Sequence, residues 1–357
     1  MQNITTRTLL IDGNYLLKRS YHGAKHLYNA KGENIGGLYQ FLVMVRKLIK
    51  EHNINKCITV WDGENGGRLR YDLYDSYKAT RENKSWYNKI ILTEKEAYKQ
   101  EEEKTLLWQK TRIQNYLEHL FIRQIEVEYI EGDDLMAKIC HLRHDKERIL
   151  IYTNDRDLTS LMVLPNVAVY IANQNLYTTK DNYFVNFDHH IENVTTIKAL
   201  CGCTSDNIKG IDGLAEPTLL KHFPIFKERK VSINEIIEQA KIINENRKKE
   251  KKKPLKVIDN IINGVFSELG EMGIEHYELN LKLVDLMNPI LNQQAIIECH
   301  DITELPIDIE GRSSKELREM MMDDGFLLNF PNQNFVSFVD PFRSLIIKEK
   351  AFFEENK

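Results

Sequence analysis

Through the first half of the chain, short runs of β-branched and aliphatic residues alternate with stretches whose apolar positions recur every three or four residues. The runs are "TLLID" (8–12), "CITVWD" (57–62), "IEVEYIE" (125–131), "ILIYTND" (149–155) and "VAVYIA" (167–172). They are nearly continuous in apolar residues, as strands covered on both faces must be. Between them, "GGLYQFLVMVRKLIKEH" (36–52) and "GDDLMAKICHLRH" (132–144) have helical spacing. The second carries its acids in the first turn, where the positive end of the helix dipole favours them. Strand–helix alternation of this kind predicts an α/β fold with a mostly parallel central sheet flanked by helices.

Residues 82–120 break the rhythm, mixing charges of both signs with isolated aromatics on a helical period. A solvated helical surface accounts for them, and a helical element protruding from the sheet is the alternative. After about residue 195 the strand pattern gives way to helices. Three regions are therefore expected: a sheet-and-helix unit over 1–197, a helical region over 198–300, and a helical cap and tail over 301–357. Within the second, "NENRKKEKKKPLK" (244–256) is a dense basic run. Such runs are usually solvated, but in a protein that holds DNA one becomes a phosphate-contacting patch.

Composition changes this picture little. With 357 residues, 42% of them hydrophobic, the chain can bury a sizeable core. A formal net charge of −4 decides neither for nor against nucleic acid. No signal-peptide pattern and no bilayer-length apolar run occur, and five scattered cysteines suit a reducing cytoplasm. Cys201 and Cys203 flank one glycine, yet no other cysteine or histidine pair stands at zinc spacing.

The candidate chemistry lies where the strand patterns stop. Four of them end in an acid: Asp12, Asp62, Glu131 and Asp155, with Asp133, Asp134 and Asp157 close behind. One such acid is more often a turn former or a helix cap. Four together, at the strand ends where parallel sheets bind ligands, predict a shared pocket. Two unit charges about 4 Å apart repel by roughly 4 kcal/mol at an effective dielectric of about 20. A cluster of seven carboxylates must therefore take up protons or multivalent cations, and all-oxygen donors favour Mg²⁺ or Mn²⁺ over zinc. Such a pocket suits two ions about 3.5–4 Å apart acting on a phosphodiester. Lys78 and Arg81, three residues apart on one helical face, could neutralise charge developing on a phosphate.

These residues, in the stretches "LLIDGNYLLKRS", "GGLYQFLVMVRKL", "VWDG", "YKATR", "EGDDLMA", "TNDRDL" and "SDNIKGIDGL", give the chain a resemblance to the 5′ nuclease (flap endonuclease) superfamily. The bacteriophage 5′-3′ exonuclease branch is the most similar. The matching stretches keep family order over about residues 8–225, with a weaker echo in "NLKLVDL" (280–286). The resemblance implies a PIN-like sheet, a helical arch over 82–115 that passes a free 5′ strand, and a helix–three-turn–helix element near 205–222 that grips duplex phosphates. It implies Asp12, Asp62, Glu131 and Asp133 as ligands of a first Mg²⁺, and Asp155 and Asp157, with Asp133 nearby, as ligands of a second. Asp134 and Asp206 would be further carboxylates of the pocket. Lys78 and Arg81 take the catalytic basic pair. Nucleic-acid contacts are implied for Arg19, Tyr77, Lys78, Arg81, Asn207, Lys209, Gly210 and Gly213. The implied reaction is hydrolysis at 5′ ends, flaps or RNA primers during replication or repair, leaving a 5′-phosphate and a 3′-hydroxyl.

Two departures stand out. The family writes Gly-Asp-x-x-Asp-Asn where this chain has Gly202-Cys203-Thr204-Ser205-Asp206-Asn207, so one carboxylate of the second-metal set is a thiol. A thiolate suits Mg²⁺ poorly, so weaker binding of the second ion or better tolerance of Mn²⁺ is expected. A hairpin that usually reads Gly-x-Gly-x-Lys has Ala215 and Pro217, which weakens the expectation of an amide–phosphate or K⁺ contact there. Alternatives are a nucleic-acid-binding relative whose cleavage Cys203 impairs, and a PIN-like ribonuclease, against which the arch-like insertion and "SDNIKG" argue. The expected partner is DNA with a 5′ flap, fork or nick, or an RNA–DNA hybrid. The tail "FVDPFRSLI" (338–346) could meet a sliding clamp or single-strand-binding protein, although docking on its own core suits it better. A monomer is expected.

Overall fold

The computed structural model describes residues 6–24, 26–78, 94–329 and 335–357, and for 94–98 the backbone alone. Six strands form the central sheet: β1 (Arg7–Asp12), β2 (Lys56–Asp62), β3 (Arg123–Val127), β4 (Arg148–Thr153), β5 (Val167–Ile171) and β6 (Leu176–Thr178). Their order is β3-β2-β1-β4-β5-β6; the first five are parallel and β6 is antiparallel to β5. The chain builds outward from β1 to β3, then returns to place β4 on the other flank of β1. That reversal makes the carboxyl ends of β1 and β4 a switch point, where open α/β sheets hold ligands.

Side chains alternate across the sheet, so successive residues feed two cores. Leu9, Ile11, Trp61 and Tyr152 pack on one face with Phe41 and Val45 of the Gly36–Glu51 helix. Leu10, Ile58, Val60, Ile149 and Ile151 pack on the other with Leu135 and Ile139 of the Gly132–Arg143 helix. A third cluster, built from residues such as Ile197, Ile211, Leu219, Ile236 and Ile261, supports the helical region. From Leu286 onward the chain rejoins the sheet, because Leu286, Ala295 and Cys299 enter the second core. Phe326, Phe338, Phe342 and Leu345 enter the first core, so the "FVDPFRSLI" tail buries its large apolar side chains on its own protein. A buried pair joins Arg123 of β3 to Glu349 at 2.6 Å and fastens the last helix, Arg343–Glu355.

Two strand ends differ from the sequence pattern. β3 stops at Val127 rather than Glu131, because Tyr129 adopts φ 69° and its N–H donates to the Glu64 carbonyl. Glu131 therefore stands at the start of the following helix. β4 stops at Thr153, and Asp155 follows in a turn where its N–H donates to Thr153 Oγ1. The helix of residues 94–119 is not wholly solvated: Ile113, Tyr116 and Leu117 are fully buried in the first core. Residues 79–93, and with them Arg81 and the first part of the expected arch, lie outside the described residues. Among the described residues no helix is long and apolar enough to cross a membrane.

Candidate functional site

At the switch point a cavity of about 700 Å³ is lined by Asp12, Asp62, Glu131, Asp133, Asp155, Asp157 and Asp206, together with Lys78, Lys198 and Cys203. Sequence-distant acids reach it by different local devices. Asp12 ends β1 and caps the next helix, its Oδ1 accepting from Tyr15 N at 2.9 Å and its Oδ2 from Thr153 Oγ1 at 3.1 Å. The helix can start there because residue 13 is glycine: a Cβ would stand 2.6 Å from the Trp61 ring. Asp62 ends β2 and is held by Asn14 Nδ2 at 2.5 Å and by Gly132 N at 2.8 Å. Glu131 accepts from the Tyr77 hydroxyl at 3.0 Å and pairs with Lys78 Nζ and, at 2.9 Å, with Arg70. Asp155 Oδ1 accepts from Asp157 N at 2.8 Å.

Crowding of like charge in a sparsely solvated space favours protons on these groups. Burial, with Asp62 and Asp155 adding repulsion, pushes Asp12 up to about 7. Burial and the charges of Asp155, Asp12, Asp62 and Glu131 raise Asp133 well above the usual carboxylate range. Asp155 opens to solvent on one side, yet the protein around it also raises its pKa, against the pull of Lys198.

An acid shifted from 3.8 to about 7 carries no folding penalty below about pH 4; the penalty grows as pH rises and is complete above 7. Asp12→Asn keeps an acceptor oxygen for Tyr15 N, turns an N–H donor towards the Thr153 hydroxyl, which can accept, and removes the charge. It is expected to stabilise the metal-free protein by about 1–3 kcal/mol at pH 8, allowing for partial exposure, and by far less at pH 5. Thermal unfolding in chelator at the two pH values checks this; equal shifts at both would show that charge is not the cause.

The expectation for Asp134 is corrected, and the other residues are placed as follows. Asp134 is not among the cavity's lining residues: it is fully buried, both its oxygens are paired with Arg70, and Oδ1 also accepts from Ile290 N at 2.9 Å. Its place one residue after Asp133 on a helix turns it towards the packed interior. Tyr77 is 5% exposed and orients Glu131 through its hydroxyl. Arg19 is absent from the cavity lining and is held by Tyr15 Oη at 2.7 Å and Asn173 Oδ1 at 2.5 Å. Asn207 donates to the Ser76 carbonyl at 2.7 Å, fastening its turn beside Lys78, whose N–H donates to the Asp206 carbonyl. Lys209 pairs with Glu268 at 2.6 Å.

The element expected to grip duplex phosphates is a helix (Val194–Cys201), a hairpin of two short strands (Gly202–Cys203 and Ile208–Lys209) and a second helix (Glu216–His222). The hairpin requires Gly210, where a Cβ would lie 2.2 Å from the Cys201 carbonyl carbon. Gly213 follows it, with open space about its Cα. Pro217 falls at the start of the second helix, where a missing N–H costs no helical hydrogen bond.

Lys198 was not singled out in the sequence, yet its Nζ pairs with Asp157 and stands 3.6 Å from Asp206. The signal lay in "TIKAL", a helical stretch leading directly into Cys203. Cys203 Sγ donates to Asp206 Oδ2 at 3.1 Å, so the thiol faces the acids where the family pattern has another carboxylate. The donor set fits hard divalent cations in kind: oxygen donors whose mutual repulsion already raises their proton affinity. Among the described residues no three donors converge around one point as a finished cage; Lys78 and Lys198 stand between the acids instead.

The family described as 5'-3' exonuclease, N-terminal resolvase-like domain, matches residues 7–188, more than half the chain and all six strands. The chain belongs to that family. It is 30% identical over 212 residues to a 5'-3' exonuclease of Mycoplasmopsis pulmonis, a match covering 58% of this chain and 63% of that protein. It is 28% identical over 222 residues to the thermostable DNA polymerase I of Thermus thermophilus, covering 60% of this chain and 23% of that one. The chain thus spans less than two thirds of the length of these relatives. Among solved structures, the bacteriophage T5 flap endonuclease in a complex with DNA and metal ions matches with a TM-score of 0.58, 17% identity, 92% of this chain and 100% of that one. The flap endonuclease of Methanococcus jannaschii matches with a TM-score of 0.52 and 12% identity, covering 99% of this chain and 95% of that one. At such identities these two structures establish the family's fold, and the carboxylate pocket must carry its own chemistry.

Proposed function

We propose that the protein is a divalent-metal-dependent 5′ nuclease that hydrolyses phosphodiesters at 5′ ends, flaps or RNA primers. The observation that carries this reading is the convergence of eight carboxylates, Glu216 and the seven named above, from separate parts of the chain on one cavity at the sheet's switch point. Asp12, Asp62, Glu131 and Asp133 would hold one ion, and Asp155, Asp157 and Asp206 a second, with Mg²⁺ the natural occupant and Mn²⁺ a substitute. Bound there, the ions supply an activated water and neutralise charge on the scissile phosphate. Tyr77 and Arg70 hold Glu131 in place. Asn14 and Gly132 N aim Asp62. Lys78, 24% exposed at the cavity, can turn from Glu131 to a phosphate oxygen and offset charge as it develops. Arg81, outside the described residues, would assist in the same role.

A forked duplex labelled at its 5′ end tests the reading. Release of a short labelled product with Mg²⁺ or Mn²⁺, and none in chelator, is expected. Preferential cutting of single-stranded RNA would favour a ribonuclease instead. Cys203 supports a second reading, a DNA-binding relative with impaired cleavage, and tight binding without product in either metal would favour it.

The thiol also carries a prediction. Cys203→Asp places an oxygen donor beside Asp206 and is expected to lower the Mg²⁺ concentration for half-maximal cleavage about tenfold, with a smaller change for Mn²⁺. Metal titrations of both proteins check it, and an unchanged Mg²⁺ midpoint would count against a metal at that position.

A further inference from the structure

The basic run that no part of the carboxylate pocket uses folds as a firm helical hairpin. The Ile233–Lys249 helix ends in Arg247, Lys248 and Lys249, and the chain turns through Lys251, at φ 58°, into the Lys256–Asn263 helix. Lys252 N donates to the Arg247 carbonyl at 2.8 Å and Arg247 Nε to the Lys253 carbonyl at 2.9 Å. Buried Asn244 latches the two arms, donating to Asp259 at 2.6 Å and accepting from Leu255 N at 3.2 Å. Residues 247–256 hold seven basic residues and one acid, net +6 in a chain of net −4. Lys248, Lys249, Lys251, Lys252, Lys253 and Lys256 are all exposed. A helix C-terminus is stabilised by one or two cations in its last turn, so six exposed lysines exceed what the dipole explains. Among the described residues, the run's ion pairs to acids are Lys252–Glu250 and Lys256–Asp212.

The hairpin is also joined to the pocket side of the molecule. Asn260 Nδ2 donates to the Asp212 carbonyl at 2.9 Å, and Lys256 pairs with the Asp212 side chain. Asp212 and Gly213 form the turn that follows the hairpin carrying Cys203 and Asp206. Ile236, Ala240, Ile258 and Ile261 share one core cluster with Ile208, Ile211 and Leu214. The lysines are thus fixed relative to the 202–216 segment rather than trailing from it.

We infer that this hairpin is a second, remote phosphate grip for duplex DNA lying across the 210–216 turn, which sets affinity and a preference for longer duplex arms. Duplex DNA presents about one negative charge per 1.7 Å of axis, and lysines reading it through counterion release confer affinity without sequence preference. The inference rests on the nuclease reading, in that the substrate must be a nucleic acid with a duplex arm.

The experiment compares the unaltered protein with K248Q/K249Q/K253Q and with a control triple, K47Q/K50Q/K315Q, drawn from exposed lysines elsewhere. Binding to forked DNA is measured in chelator across salt, with long and short duplex arms. The hairpin triple is expected to lose about tenfold or more in affinity near 0.1 M salt and to flatten the slope of log K against log salt by about 2–3, for the long arm only. The control triple should leave the slope unchanged. Equal slopes for the hairpin triple and the unaltered protein, equal loss in both triples, or equal loss for long and short arms would each overturn the grip. If the unaltered protein itself neither binds nor cuts forked DNA, the nuclease reading fails instead, which separates the two.

Discussion

Replacing Asp155 by Asn is expected to lower cleavage of a 5′-flap substrate by about a thousandfold or more while leaving binding in chelator within about twofold. Asn is isosteric and keeps an acceptor for Asp157 N, so the turn after β4 should hold. What is lost is a charge between Asp133 and Lys198. A metal that polarises a phosphoryl oxygen contributes several kcal/mol to the transition state, and each 1.36 kcal/mol is tenfold in rate. Single-turnover cleavage alongside fluorescence anisotropy separates chemistry from binding. Near-full activity would mean that the pocket is not the reactive centre; loss of binding and cleavage together would mean that the substitution disturbs the DNA surface.

The second large effect concerns folding. Asp134→Ala leaves the Arg70 guanidinium, 5% exposed, with Glu131 as its remaining carboxylate partner and frees Ile290 N. Breaking a buried ion pair from one side costs about 3–5 kcal/mol. For a chain of this size that corresponds to a fall in Tm of ~5 °C. Because Arg70 also holds Glu131 and donates to the Leu283 carbonyl at 2.8 Å, the loss should loosen the junction between the sheet and the helical region. A double variant, Arg70→Met with Asp134→Leu, should recover much of the stability, since apolar side chains of similar volume replace buried ion pairs at little cost. It should not recover activity, because Glu131 loses its anchor. Calorimetry and cleavage assays on the single and double variants check both parts. A single variant as stable as the parent would show that Asp134 is not the keystone that its burial indicates.

These two residues also mark how the pocket was legible. Asp155 and Asp134 are both acids placed close to a strand end, and nothing in their identity or spacing tells them apart. One helical step separates Asp133, which lines the cavity, from Asp134, which faces the interior and Arg70. The approach of Arg70, 64 residues earlier in the chain, decides it. Tyr77 shows the same limit: the resemblance implied a nucleic-acid contact for it, and only its burial shows that it supports Glu131. Lys198 was overlooked because a single lysine in a short helix carries no pattern of its own.

By itself, the sequence determined the parallel sheet, most of its strand limits, the acids at their carboxyl ends and the missing carboxylate at Cys203. The strands and their acids follow from local periodicity and residue type, which are readable within a few neighbouring positions, and the missing carboxylate follows from the resemblance to the family pattern. Only the tertiary structure decided which acids share the cavity and which are locked into ion pairs. It also decided that the C-terminal tail completes the first core, and that the basic run is a latched hairpin joined to the turn near the pocket. Those outcomes depend on contacts between residues far apart in the chain, where packing and desolvation select among orientations that local spacing leaves equally open.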